Sequence, residues 1–401
     1  MRENKFKLKY ELKQHTPLVH FQYEQMGACL RATEVKPKLD RFLVKYAFKD
    51  KDKEKEDELA KCIQKKQDEQ ISLKYKMRIY SDTAPAIRIE NGKMFLGNIG
   101  VKNPNKMYKS IFYNTYITLE IICFNIYLFE KIKEWISIFF TVTNFGMRQT
   151  KGYGSFTISN EKLAVENLKQ KISQIYPKYC VIEHTQQNYY LIMKDISIIY
   201  ALMKSGINYT KRSSDYYRGY VFQYMNNKNI GNDKMFIKQK IFKAKLKNNL
   251  REQEYIPKFV RAMLGVPGFY KYSDDDRKGI ISVNSNTISR FSSPVVFKII
   301  YNYIFILPNN IPKEMYGHEF KFNLEEYEKG DTSEEDRLEL KNNGIKIYTP
   351  TQKEFELEDF LSSFSDYFNN RMAIPKHYDI KTAKKLRIEV VDKCNDISDS
   401  Q

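Results

Sequence analysis

The chain has 401 residues, room for two domains of roughly 150 to 200 residues each, and its 67 Lys and Arg against 49 Asp and Glu leave a net charge of +18. That excess favours a polyanionic partner with salt-dependent binding, nucleic acid first, although AT-rich coding would also enrich Lys, Asn, Ile and Tyr. Cys29, Cys62, Cys123, Cys180 and Cys394 form no CxxC pair and have no His at metal-ligand spacing, which argues against a zinc site and a disulfide framework and for a reducing, cytoplasmic setting without cofactors.

Along the chain, Phe6, Leu8, Tyr10 and Leu12 alternate with Lys and Glu, the period of a strand with one face buried. A turn-like stretch from Gln14 to Gly27 leads to a helix carrying Leu39, Phe42, Leu43 and Tyr46 on one side, with Pro37 expected in its first turn. Residues 49–70 hold a run of alternating Lys, Glu and Asp with almost nothing apolar, so a solvated loop or exposed helix outside any core is expected. Leu73, Tyr75, Met77 and Ile79 alternate with Lys74, Lys76 and Arg78, a second strand whose basic outer face could touch phosphate. Asn91-Gly92 between Ile87–Ile89 and Met94–Leu96 predicts an inserted hairpin. A third strand within Ile111–Phe124, a helix over Ile126–Phe140 and a short strand Tyr153–Ile158 complete the order strand, helix, strand, strand, helix, strand. The broken apolar stretch Tyr113–Phe145 contains Glu120, Glu130, Lys131, Lys133 and Glu134 and is no membrane span, and the opening residues lack the apolar core of a signal peptide.

Beyond Tyr176-Pro177 a second α+β domain is expected, giving domains 1–176 and 177–401. Strands are predicted at Tyr179–Ile182, Asn188–Met193, Ile280–Val283 and Pro294–Leu307, and a helix at Asp195–Lys204. A basic, largely helical region is expected over 216–264, a solvated acidic excursion at Glu325–Glu339, and a terminal helix at Glu356–Phe368, with about the last ten residues of the chain frayed.

The most informative segment is Thr143-Asn-Phe-Gly-Met-Arg-Gln-Thr-Lys-Gly-Tyr-Gly-Ser155. Gly146, Gly152 and Gly154 permit positive φ and close backbone approach, and Arg148 and Lys151 supply charge, a combination suited to a phosphate or ribose. A glycine-rich turn feeding a strand is the competing reading. The 30 Tyr and 26 Phe, many beside Lys or Arg as in Tyr108–Tyr113 and Tyr216–Tyr220, suit stacking on unpaired bases or ordinary core packing.

Phe145–Ser155 resembles the G-x-R-x-x-x-G-x-G-S loop of the RAMP superfamily of CRISPR-associated proteins. His15-Thr-Pro-Leu18 is similar to that superfamily's T-P-L opening, and Leu30–Leu39 to its R-x-x-x-[IV]-[KR]-G-x-L segment, with Pro37 in place of Gly. Arg261-Ala-Met-Leu-Gly265 and Arg290-Phe-Ser-Ser-Pro294 resemble signatures of the first-named subunit of type III-B (Cmr) effectors. The resemblance implies tandem ferredoxin-like (RRM-like, βαββαβ) RAMP domains in an α+β chain with helical insertions. It also implies assembly with other RAMP subunits in a ribonucleoprotein for antiviral defence, and contact with guide RNA or single-stranded target RNA.

Carried onto this sequence, the RNA-facing residues are Gly146, Arg148, Lys151, Gly152, Gly154 and Ser155, with Arg31, Lys36 and Lys38 beside them and Arg290 as a further RNA or structural contact. Arg31 could instead pair with Glu34. An RNA-processing, metal-independent endoribonuclease is the alternative, with His15 or His20 as general base. Asp40, inside the expected helix, and Asp274-Asp275-Asp276 are poor candidates for a catalytic metal.

Overall fold

In the computed structural model, residues 5–19, 30–48, 53–67, 70–80, 86–89, 108–111, 117–159, 164–208, 216–242, 255–273, 278–329, 332–370 and 386–393 are described. The chain divides into two compact units, one of Met1–Ile196, Val296–Leu307 and Val391–Gln401, the other of Ser197–Val295 and Pro308–Val390.

In the first unit, strands Lys7–Gln14, Lys76–Tyr80, Ile117–Ile122 and Phe156–Ile158 form a four-stranded sheet in the spatial order second, third, first, fourth. Neighbouring strands are antiparallel, with Leu8 opposite Ile121 and Tyr10 opposite Leu119. Helix Ala32–Phe42 follows the first strand and helix Ile126–Val142 the third. The alternation read from the sequence sorts the strand residues by face. Leu12, Ile117, Leu119 and Ile121 are fully buried, while Lys9, Lys76, Arg78 and Tyr80 on the opposite face are exposed. Helix Ile126–Val142 starts at Asn125, whose side chain accepts from the Leu128 amide at 2.9 Å, and buries Leu128, Ile132, Ile136 and Phe139 on the core side.

A second four-stranded sheet contains Lys178–Glu183, Val295–Ile300, Tyr303–Pro308 and Glu389–Asp392, and numbered along the chain they again stand second, third, first, fourth. Helices Tyr189–Lys204 and Leu357–Asn369 follow its first and third strands. Tyr179, Val181, Ile300, Phe305 and Leu307 join the core of the first sheet. The second unit has its own core, built on the antiparallel sheet Phe269–Ser273, Lys278–Asn284, Glu319–Lys329 and Ile345–Tyr348, with Phe259, Ile281, Phe320 and Phe322 fully buried.

Several local expectations change. Pro37 is the sixth residue of its helix rather than part of the first turn, so the segment aligned with a Gly-containing loop is helical here, and the chain continues into a π-turn at Leu43–Ala47. The charged region forms helix Lys53–Cys62 and a ribbon Ile63–Gln67 with Gln70–Leu73. It does reach the core, because Cys62 is fully buried and Leu59 and Ile63 pack against it. The second strand divides in two around Lys74. Strand Ala86–Ile89 pairs with Tyr108–Ile111, and the Asn91-Gly92 turn lies outside the described residues. The strand expected at 188–193 is the first half of helix Tyr189–Lys204, since a short apolar run does not fix its own period. The expected acidic excursion Glu325–Glu339 takes in the end of an 11-residue strand, Glu319–Lys329, and most of helix Glu334–Asn342, which buries no residue. Strand Glu389–Asp392 follows the expected terminal helix.

Candidate nucleic-acid interface

The glycine-rich segment joins helix Ile126–Val142 to strand Phe156–Ile158 and closes on itself through a bridge between Asn144 and Ser155. Positive φ occurs at Gly146 (76°), Arg148 (57°), Gly152 (90°) and Gly154 (67°). These angles reverse the chain repeatedly within a few residues, which ordinary residues resist. Packing adds a second requirement for glycine. A Cβ at Gly154 would lie 1.9 Å from the Phe145 carbonyl oxygen, one at Gly146 2.5 Å from that of Val19, and one at Gly152 2.6 Å from Ile299 Cδ1.

The glycine amides face protein acceptors. Gly146 donates to Glu34 Oε1 at 2.6 Å, Gly152 to the Gln149 carbonyl at 3.2 Å and Gly154 to the Pro17 carbonyl at 2.9 Å. The Ser155 amide donates to Thr16 Oγ1 at 2.9 Å, and its hydroxyl donates to the Ile299 carbonyl at 2.5 Å. Thr16 in turn donates to the Gly152 carbonyl at 2.6 Å. The His15–Leu18 segment and the glycine-rich loop, singled out separately in the sequence, are thus hydrogen-bonded across more than 130 residues of chain. Gly146, Gly152, Gly154 and Ser155 are buried, while Met147–Lys151 is partly exposed and forms the loop's crown.

Arg148 sits in that crown in the left-handed conformation. Lys151 is partly exposed along its stem, but its ammonium nitrogen is enclosed. Lys38 spans from its helix to the loop, donating to the Asn144 carbonyl at 2.9 Å, Gln149 Oε1 at 2.9 Å and Glu34 at 3.3 Å. Burial lowers the pKa of Lys38, and the Glu34 carboxylate opposes that fall. Arg31 is exposed at the helix start, where its carbonyl accepts from the Glu34 and Val35 amides. The Glu34 carboxylate is engaged by Gly146 and Lys38. Lys36 is directed elsewhere, to Asp40 at 2.7 Å, the Leu73 carbonyl at 3.1 Å and the face of Tyr75. Asp40 is itself buried in that pair.

Asn144 and Lys298 were not legible as site residues. Asn144 Nδ2 donates to the carbonyls of Gln149 at 2.7 Å and Phe297 at 2.8 Å. The fully buried Lys298 donates to the carbonyls of Thr143 at 2.8 Å and Phe156 at 3.0 Å, the two stems of the loop. Burial, reinforced by Lys38, lowers the Lys298 pKa well below that of a free lysine. No local signal marks either role, because Asn144 bonds Phe297, 153 residues away, and Lys298 bonds Thr143 and Phe156, 155 and 142 residues away.

His15 is buried. The Tyr301 amide donates to Nδ1 at 3.2 Å, which leaves the proton on Nε2 to be donated to Thr157 Oγ1 at 2.7 Å. Burial, with Lys298 and Lys13 nearby, pushes its pKa down to about 3. His20 and Asp274–Asp276 lie outside the described residues, among which no cluster of His, Cys, Asp or Glu could hold a metal ion. No helix among the described residues is long and apolar enough to cross a membrane.

In the second unit, the segments 261–265 and 290–294 also meet. The Val266 amide donates to the Phe291 carbonyl at 2.9 Å, and Gly265, at φ 106°, lies where a Cβ would be 3.1 Å from the Ser293 amide. Arg261 is buried against Asp233 at 2.5 Å and stacks 3.8 Å over Tyr270, whereas Arg290 is exposed.

Comparison with known proteins agrees with the motif order. Family models for the Cmr1 N-terminal domain and the Cmr1 C-terminal domain match residues 5–207 and 216–387. The chain therefore belongs to the Cmr1 family. The crystal structure of Cmr1 from Pyrococcus furiosus in its apo form is similar at 9% identity and a TM-score of 0.35, covering 89% of this chain and 96% of that one. No curated protein sequence matches.

Proposed function

We propose that this protein is an RNA-binding subunit of a type III-B CRISPR effector, working in the cytoplasm in antiviral defence beside other RAMP subunits. It contacts guide RNA or single-stranded target RNA through the crown of the glycine-rich loop. The observation that carries this reading is the partial exposure of Arg148 on a crown whose glycines are held by Thr16, Pro17 and Glu34 and whose Asn144 and Gln149 are held by Lys38. A preorganised guanidinium can bind a phosphate with little further ordering of the loop. Lys151 adds positive charge from beneath, Lys38 holds the loop, and Arg31 extends the basic surface. Arg290, exposed in the second unit, is a secondary contact, whereas Lys36 loses support because Asp40 and Tyr75 engage its ammonium.

The repeated strand order of the two four-stranded sheets supports a reading as tandem ferredoxin-like halves divided near residue 176. The helices and sheet of the second unit are then insertions in the second half. The endoribonuclease reading loses support because His15 has both ring nitrogens engaged and is neutral far below physiological pH.

Binding of single-stranded RNA across a salt titration tests the proposal. Arg148→Asn keeps a residue that tolerates positive φ. We expect it to weaken binding roughly tenfold and to flatten the log–log salt slope by about 0.7, the effect of one phosphate contact. Unchanged affinity and slope in the folded variant would remove the loop from the interface.

A further inference from the structure

The first sheet's core face is packed, but its other face carries a charge pattern that the loop does not use. Strand pairing sets Lys76, Ile122 and Lys7 in one row, Arg78, Glu120 and Lys9 in the next, and Tyr80, Thr118 and Glu11 in the third. Residues directly opposite in such a ladder project to the same side, so these rows make one surface about three strands wide, with about 4.8 Å between strands. Lys9, Lys76, Arg78 and Tyr80 are exposed. Glu120 is drawn into the surface by Lys7 at 2.7 Å and the Tyr80 hydroxyl at 3.2 Å. Lys7 holds the Glu120 carboxylate below its ordinary pKa, so this acid remains charged and paired with Lys7. Beyond that pair the exposed charges are the cations Lys9, Lys76 and Arg78, with Glu11 half-buried in the third row. Along the first strand the surface continues to Lys13, whose ammonium lies 4.4 Å over the Tyr301 ring.

Tyr80 is 46% exposed, too much for a core tyrosine, and its hydroxyl is tethered to Glu120. Such a ring costs little to order against a flat partner. Cations in rows beside an accessible ring on an open antiparallel sheet suit an extended polyanion with planar groups, which is single-stranded nucleic acid. An acidic peptide would use the charges but not the ring.

We infer that the open face of the first sheet, with Lys9, Lys76 and Arg78 holding phosphates and Tyr80 stacking a base, is a second single-stranded RNA platform beside the glycine-rich loop. This inference rests on the RNA-binding reading above. It adds a contact that reads the strand as a flexible, unpaired chain, because a duplex offers no free base face to Tyr80.

The test is single-stranded RNA binding by the full chain across a salt titration, for wild type, Lys9→Glu/Arg78→Glu, Tyr80→Ala and Tyr80→Phe, with Arg148→Asn in parallel. Thermal melts establish that each variant is folded. We expect the charge reversal to weaken binding at least tenfold and to flatten the salt slope by about 1.4, for two phosphates. Tyr80→Ala should weaken binding about fivefold or more with little change in slope, and Tyr80→Phe should restore it. Polyglutamate competes as a purely anionic probe. If Tyr80→Ala binds RNA as wild type does, or the charge reversal affects polyglutamate and RNA alike, the face is a nonspecific cationic surface and the inference fails. Loss in Arg148→Asn alone would overturn the sheet platform and keep the loop, whereas no RNA binding by wild type would overturn both.

Discussion

A Cβ on Gly154 would meet the Phe145 carbonyl at 1.9 Å from a backbone already at φ 67°. The acceptor is backbone and cannot swing away, so Gly154→Ala should cost about 2 kcal/mol or more and lower the melting temperature by several degrees. A calorimetric scan that superimposes on wild type would contradict the described loop. His15 gives a pH dependence of definite sign. Its folded pKa, about 3, lies below the ordinary histidine value near 6.5. The unfolded chain therefore takes up a proton first. The stability tied to neutral His15 is complete above about pH 6.5 and is lost as pH falls toward 3, at up to about 1.4 kcal/mol per unit. Melting of wild type between pH 7 and pH 5 should show this loss, and His15→Gln should show less of it. Equal acid sensitivity in the two proteins would mean that His15 is not the group responsible.

Helix Ala32–Phe42 shows what the sequence could and could not supply. The spacing of Leu39 and Phe42 placed its buried side correctly, as their burial confirms. The position of Pro37 was missed because a proline more often begins a helix than interrupts one. Pro37 has no amide to donate toward Thr33, four residues earlier, and the helix gives way to a π-turn six residues later, at Leu43. Pro37→Ala should restore the missing donor and raise stability by about 1 to 3 kcal/mol, measured by urea unfolding. A destabilised variant would show that the proline ring packs more favourably than the lost hydrogen bond costs. Strands Lys7–Gln14 and Lys76–Tyr80 were legible because one wet face imposes strict alternation. Strand Glu319–Lys329 was hidden because Glu325, Glu326 and Glu328 interrupt the apolar pattern, while Phe320, Phe322 and Leu324 alone carry the buried side.

At the scale of the molecule, the glycine-rich loop was legible as a sequence motif but its supports were not. Thr16 and Pro17 come from the start of the chain, Glu34 and Lys38 from the first helix, and Asn144 reaches the strand of Phe297 and Lys298. No window of sequence contains these partners together. The glycines fold the loop and bury its amides, and the crown at Arg148 stays partly exposed. A net charge of +18 makes nonspecific attraction of RNA easy, so affinity alone is a weak test. The direct measurement is photochemical crosslinking of single-stranded RNA to the whole chain at physiological salt, with the crosslinked residues mapped by mass spectrometry. Crosslinks are expected within 143–155 and should disappear in Arg148→Asn. Crosslinks that spare this segment, while RNA remains tightly bound, would contradict a loop interface.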